Sequence, residues 1–485
     1  MAELIYRSAT ELVEALGAGT VSSVELTEAV IARIEEHDDA INAVCVRDFD
    51  RALAAARDAD AARARGEDRP LLGVPMTVKE SFNVAGLPTT WGFSPFRDFV
   101  PDEDALAVQR VKAAGAVVVG KTNVPVGLGD FQSYNDIYGT TNNPWDTGRT
   151  CGGSSGGSAA ALAAGYGSLS LGSDIGGSLR NPAHFCGVYA HKPTIGLLPA
   201  RGHVPPPMPA LPGESDLAVI GPMTRSAADL SLLLDLLAEP DELTLGKAYR
   251  LALPPSKHTR LADYRVLVLT DHPLLPSSAS VRAAITGLAD NLAATGAAVQ
   301  RESSLLPDLT ETTLIYSRML MSVLAARFPV EMQEQARAEV ARLTEDDMSL
   351  PAARARGMVL SHRDWLIDDA SRQQLRQRWR ELFAEVDLVL APIMPTPAFP
   401  HDHSEQSDRK ITIDGVDHEY FDQLSLPAIA TLPGLPATAL PIGLSAEGLP
   451  IGVQAIGPAY GDRDTIRFAE LAEREFGGFI PPPLG

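Results

Sequence analysis

Apolar positions along the chain switch between a helical period and runs too short for a helix, and the switching predicts alternating helices and strands. Ser8-x-x-Glu11 and Ser22-x-x-Glu25 read as capping boxes that open helices. The second leads into "VELTEAVIARIEEHDD", where Leu26, Val30, Ile31 and Ile34 make one apolar stripe. A charged, Ala-rich helix is predicted over roughly 48–65 and another over 102–115. "LLGVPMTVKE" (71–80) reads as a buried strand running into a charged end, and "AVVVGKTN" (116–123) as a short strand with a turn.

The alternation continues through strands at 168–174, 217–223 and 264–271 and helices at 226–238 and 279–295. Residues 308–385 are predicted to be mostly helical, as a cap over a sheet. Strands return at 386–395, 435–443 and 449–457, followed by a last helix near 462–475. The Pro-rich stretches 204–213 and 395–400 and the polar stretch 401–410 read as loops. The pattern predicts an α/β fold, with helices on both faces of a sheet. With no repeat and no clean linker, residues 1–485 are read as one large domain.

Composition narrows the function classes. The chain is 45% hydrophobic and 21% charged, the balance of an ordinary globular protein, and long enough to bury a core without disulfides or a metal. A formal net charge of −21 offers no basic footprint for a nucleic-acid partner or an anionic membrane surface. The first residues lack a basic segment followed by an apolar one, and no apolar run approaches the roughly 18 residues of a membrane span. A cytoplasmic location is the default expectation. Cys45, Cys151 and Cys186 form no CxxC or Cys/His cluster, so neither a disulfide framework nor a zinc site is indicated.

The candidate chemistry gathers in "CGGSSGGSAAALAAGYGSLSLGSDIGGSLRNPAHFCG" (151–187), where two Gly/Ser clusters flank an Ala-rich segment. A flexible linker is the plain reading, but the first cluster runs straight into "AAALAAG", a strong helix former. A phosphate loop would need a Walker or dinucleotide pattern, and neither cluster supplies one. "GAVVVGKT" (115–122) fits the Walker spacing, yet its interior reads as a strand and Pro125 stands where a helix should open. Gly152-x-Ser154-x-Gly156 fits a nucleophile elbow, with His184, His191 or His203 as candidate bases, but loop-like text precedes it where a hydrophobic strand is needed. A further reading brings in Lys79, one of only seven lysines, at the end of an apolar run. Burial lowers a lysine pKa, and a neutral lysine can activate a serine without a histidine.

These residues resemble the amidase signature hydrolases. The likeness is carried by "GVPMTVKESFNVAGLPTTWG" (73–92), "VGKTN" (119–123), "YGTTNNPWD" (138–146), "GGSSGGSAAALAAG" (152–165), "GSDIGGSLRNPAHFCGVYAHKPTIG" (172–196), "GPMTRSAADL" (221–230) and the C-terminal "ATLPGLPATALPIG" and "GLPIGVQAIGP". It spans nearly the whole chain, with a signature core at about 70–230 and a less distinctive, mostly helical region at about 300–385. The resemblance implies a large mixed sheet covered by helices, and an amidase that cleaves a small carboxamide to an acid plus ammonia or an amine, with no metal or organic cofactor.

By the same resemblance, Ser178 is the nucleophile, Lys79 the neutral base, and Ser154 the bridge that hydrogen-bonds both, with a cis peptide bond before Ser154. An acyl-enzyme would form on Ser178. The backbone N–H groups of Ile175, Gly176, Gly177 and Ser178 would bind the oxyanion. Asp174 and Arg180 would brace the site, and Ser155 would hydrogen-bond beside it. By position alone, Leu128, Gly129 and Phe131 would line the acyl pocket, with core packing an equal reading of Leu128 and Phe131.

The chain departs from the family at Val124-Pro125-Val126, where many members carry Pro-Glu, and at "AHKPT" (190–194). Two other functions stay open: the glutaminase subunit of a tRNA-dependent amidotransferase, and a non-catalytic binding protein on the same fold. A homodimer is common in the family.

Overall fold

The computed structural model describes residues 2–484. Its centre is an eleven-stranded mixed sheet. In chain order its strands are β1 (Val44–Arg47), β2 (Pro75–Lys79), β3 (Val117–Thr122), β4 (Leu169–Asp174), β5 (Tyr189–Lys192), β6 (Val219–Thr224), β7 (Arg265–Val268), β8 (Ala298–Gln300), β9 (Leu388–Pro392), β10 (Ala437–Leu444) and β11 (Pro450–Ile456). Across the sheet they run β1-β3-β2-β4-β6-β5-β10-β11-β9-β7-β8. β2 is parallel to both β3 and β4, and β7 to both β8 and β9, while the other neighbours are antiparallel.

The strands read as apolar runs because both faces are covered. Met76 and Val78 of β2, Leu169 and Leu171 of β4, and Ile451 and Val453 of β11 join one core with the helices Leu106–Ala113, Ala227–Leu237, Ala279–Ala294 and Asp462–Phe476. Val117 and Val119 of β3 face a second core, with the helices Ser23–Ile41, Gly156–Ala164 and Arg180–Cys186. The predicted α/β layering is therefore present on both faces. Both capping boxes form: the Ser8 and Ser22 hydroxyls accept from the Glu11 and Glu25 N–H groups, and each glutamate accepts in return.

Residues 308–385 fold as four helices, Leu309–Ala325, Val330–Val340, Leu350–Met358 and His362–Glu385. Trp379 and Leu382 of the last one pack under Val389, Ala437 and Ile456. Three sheet strands escaped the pattern, β1, β5 and β8, each only three or four residues long. The polar stretch after 400 is a loop only to Arg409. A hairpin, Lys410–Ile413 with Val416–Glu419, follows it and turns at Asp414-Gly415.

Candidate active site

The two Gly/Ser clusters meet beside the C-terminal ends of the parallel neighbours β2 and β4, the usual location for ligand sites in open sheets of this kind. Lys79 is the last residue of β2, and Ser173 and Asp174 close β4. Ser154 and Ser155 precede the helix Gly156–Ala164, every residue of which is buried. An Ala-rich helix of such small side chains fits where a larger one could not. A Cβ on Gly157 would overlap the Asn123 nitrogen and stand 2.7 Å from its carbonyl oxygen. The segment is thus a tightly enclosed helix, and not a linker.

Lys79 is fully buried, and its Nζ is hydrogen-bonded to three hydroxyls: Ser154 Oγ at 2.7 Å, Ser173 Oγ at 2.9 Å and Ser155 Oγ at 3.0 Å. No carboxylate touches it among the described residues. Burial therefore pulls its pKa well below the ordinary 10.5, against the weaker opposing pull of Asp174 and Glu80. Ser155 sits inside the same network, its Oγ donating to the Ser173 carbonyl at 3.3 Å and its N–H to the Ser178 carbonyl at 3.2 Å.

The peptide bond between Gly153 and Ser154 is cis. A side chain at 153 is excluded, because its Cβ would overlap the Asp130 carbonyl oxygen and stand 2.9 Å from the Gln132 nitrogen. Asn181 ties the two clusters together. Its Oδ1 accepts from the Gly153 N–H at 3.0 Å, and its Nδ2 donates to the carbonyls of Gly153 and of Gly177, the latter at 3.0 Å.

Asp174 organises the turn that carries Ser178. It accepts from the Gly177 N–H at 2.8 Å and the Leu179 N–H at 3.2 Å, and Arg180 grips both its oxygens at 3.0 Å. Burial is the strongest single influence and would raise this carboxyl, but the Arg180 guanidinium, Lys192 and the Gly177 N–H together outweigh it and hold it below the ordinary carboxylate range. Arg180 is buried too and donates onward to Gln454 Oε1 and Thr431 Oγ1, each at 2.8 Å. Gly177 has φ +95°, a left-handed conformation that favours glycine.

With the Gly177 N–H committed to Asp174, the N–H groups of Ile175, Gly176 and Ser178 have no acceptor among the described residues. The Ile175 carbonyl is fixed separately, by a 2.7 Å bond from the buried Tyr316 hydroxyl. Ser178 keeps 7% of its surface open, and its hydroxyl has no hydrogen-bond partner among the described residues. The implied Ser154–Ser178 bond is therefore not formed here, whereas the Lys79–Ser154 bond is.

Leu128 is half-buried with φ +60°, Gly129 is exposed, and Phe131 is buried in the core against the rings of Tyr420 and Phe421. Among the described residues no histidine hydrogen-bonds Ser154 or Ser178. His184 lies between the main chains of Thr396 and Gly452, His191 bonds Asp462 and Thr438, and His203 bonds Ser81 between the rings of Phe82 and Trp91. Cys151 and Cys186 are buried, and burial pushes both thiols up, Cys151 to about 12. Among the described residues no group of three His, Cys, Asp or Glu side chains could hold a metal ion, and no helix is long and apolar enough to cross a membrane.

Sequence reasoning missed Asn181 and Ser173. Ser173 carried a usable signal, since strand pairing sets the end of β4 beside the end of β2. Asn181 carried none, because its partner Gly153 is 28 residues away.

Residues 25–466 match the Amidase family model, and the chain belongs to that family. Its mixed sheet and helices are the amidase signature fold. It is 33% identical over 410 residues to an indoleacetamide hydrolase of Bradyrhizobium diazoefficiens, covering 83% of this chain and 75% of that one. It is 44% identical over 260 residues to the A subunit of the glutamyl-tRNA(Gln) amidotransferase of Moorella thermoacetica, so this match spans only 52% of either protein. Among solved structures, one described as a vestigial protein complex revealing the evolutionary origins of an s-triazine catabolic enzyme superposes with a TM-score of 0.81 at 30% identity. That match covers 96% of this chain and 98% of the other. Family and relatives together support a hydrolase acting on C–N bonds.

Proposed function

We propose that this protein is a free-standing amidase working through Ser178, Ser154 and Lys79. The observation that carries the reading is the buried Lys79 amine, 2.7 Å from Ser154 and surrounded by hydroxyls instead of carboxylates. A neutral amine has two N–H donors and one lone pair, which suits three hydroxyl neighbours and leaves Nζ able to take a proton.

Ser178 Oγ attacks the amide carbonyl carbon while its proton passes to Ser154 Oγ, whose own proton passes to Lys79 Nζ. The oxyanion is bound by free N–H groups at Ile175, Gly176 and Ser178, and each such donor contributes on the order of 3 kcal/mol to the transition state. The tetrahedral species collapses as Lys79 returns its proton through Ser154 to the leaving nitrogen. That step breaks the C–N bond and leaves an acyl group on Ser178. Water then attacks the acyl carbon, its proton travels the same relay, and the acid departs with Ser178 restored. The Ser154–Ser178 contact is the one link this route requires substrate to close, as catalytic contacts in empty sites often are loose.

The test is a panel of amides, anilides, esters and glutamine, assayed with wild type and Ser178→Ala, together with fluorophosphonate labelling. Turnover of simple amides and labelling at Ser178, both lost in Ser178→Ala, is the expected result. A folded wild type that neither turns over nor labels would point to a binding protein. The match to part of an amidotransferase supports a second reading, a glutaminase working with partner subunits. Hydrolysis confined to glutamine, with a stably copurifying partner, would favour it.

A further inference from the structure

Behind the Gly152–Ser154 turn stands a wall of main chain, residues 130–133. The Asp130 carbonyl and Gln132 fill the space a side chain at 153 would take, and the Ser133 hydroxyl donates to the Gly152 carbonyl at 2.9 Å. From its far side this wall is held by one ion pair. Arg409, 2% exposed, donates from Nη1 to Asp130 Oδ2 at 2.6 Å. The same guanidinium donates to the Tyr134 hydroxyl at 2.6 Å and twice to the Ser404 carbonyl, at 2.8 and 2.6 Å. Asp130 Oδ1 accepts from the Tyr420 hydroxyl at 2.7 Å, and Gln132 exchanges two hydrogen bonds with the main chain of Asp402.

We propose that Asp130 and Arg409 are positioning residues for the proton relay: they fix the main chain that sets where Ser154 stands, given the role proposed for Ser154 above. A pair serving stability alone is an uneconomical choice here, because well-packed apolar residues of similar volume often do as well as a buried ion pair. What the charged pair adds is fixed geometry. A guanidinium with four donated bonds sets the distance between the 402–409 loop and the 130–133 wall, with the Gly153–Ser154 peptide on the other side. A shift of about 1 Å in a reacting group can cost on the order of a hundredfold in rate, so a small slackening there reaches the chemistry.

The prediction is a split between rate and binding. Asp130→Asn, which keeps the shape and removes the charge, should lower kcat and the fluorophosphonate labelling rate of Ser178 by about tenfold or more, with KM within about twofold. Arg409→Lys, which keeps a cation near Asp130, should retain more of the labelling rate than Arg409→Met. Melting temperatures are recorded for each variant. If Asp130→Asn fails to fold, Tyr420→Phe carries the test, expected to label about threefold more slowly for the loss of one hydroxyl. Labelling of folded Asp130→Asn or Tyr420→Phe at the wild-type rate overturns the inference, as does a rate that follows melting temperature alone, with the Lys and Met variants equal. Failure of wild-type Ser178 to label at all would instead overturn the proposed relay, and this inference with it.

Discussion

The Nζ of Lys79 and the Oγ of Ser154 lie 2.7 Å apart although 75 residues separate them in the chain. Parallel pairing of β2 with β4 puts the lysine at one strand end, and the helix Gly156–Ala164 delivers the serine to it. Replacing the amine with an apolar chain of similar length tests what that contact does. Lys79→Met should fold, as circular dichroism would show, and lose about a thousandfold or more in kcat, within the range for removing a positioned base. Near-wild-type turnover in the folded variant would exclude Lys79 as the base.

The same substitution has a pH signature. Burial holds Lys79 well below 10.5 in the native state, while the unfolded chain restores the ordinary value. Between the lowered native value and 10.5 the unfolded state binds the extra proton, so stability rises with pH across that window. Urea unfolding at stepped pH should show wild type gaining on Lys79→Met toward pH 10.5. Activity should rise with pH through the native value, as the amine becomes neutral, and level off well short of 10.5. Parallel stability curves would mean that the lysine is not held neutral.

Asp174, held by Arg180, gives the same sign in a different window, at acid pH. The folded carboxyl lies below its ordinary 3.8, so its contribution is present above that value and is lost as pH falls through the lowered one. Removing the guanidinium strands a buried charge. Arg180→Met should cost about 3–5 kcal/mol in denaturant unfolding. It should also depress activity in whatever fraction stays folded, since Asp174 holds the Gly177 and Leu179 N–H groups beside Ser178. Unchanged stability would show that the pair is replaceable by packing.

How far the sequence carried these features depended on whether a local pattern encoded them. The strand ending in Lys79 was legible because an apolar run that stops at a charge marks the rim of a core. Helix starts at Ser8 and Ser22 were legible because a capping box is a four-residue signal. The hairpin after Arg409 was overlooked although Ile411 and Ile413 alternate before Asp414-Gly415, a standard hairpin turn pair. Its surroundings are so polar that composition outweighed the alternation. Arg409 itself was not legible, since its partner Asp130 stands 279 residues away and only the folded chain pairs them. Phe131 shows the same limit: whether such a ring faces a pocket or a core is settled by Tyr420 and Phe421, from a distant segment.

The buried helix Gly156–Ala164 bears on how this chain can change over time. Its composition is the plainest in the protein, the sort of text in which glycine, serine and alanine look interchangeable. Its packing leaves no spare volume: a Cβ on Gly156 would stand 2.7 Å from the Cys151 sulfur and overlap the Ser133 hydroxyl, and Gly157 is as confined. Substitutions should therefore accumulate in the ornate, charged stretches of the surface and be purged from this monotonous one. Variety along the sequence and tolerance to mutation run in the same direction here, with the least varied segment the least free to vary.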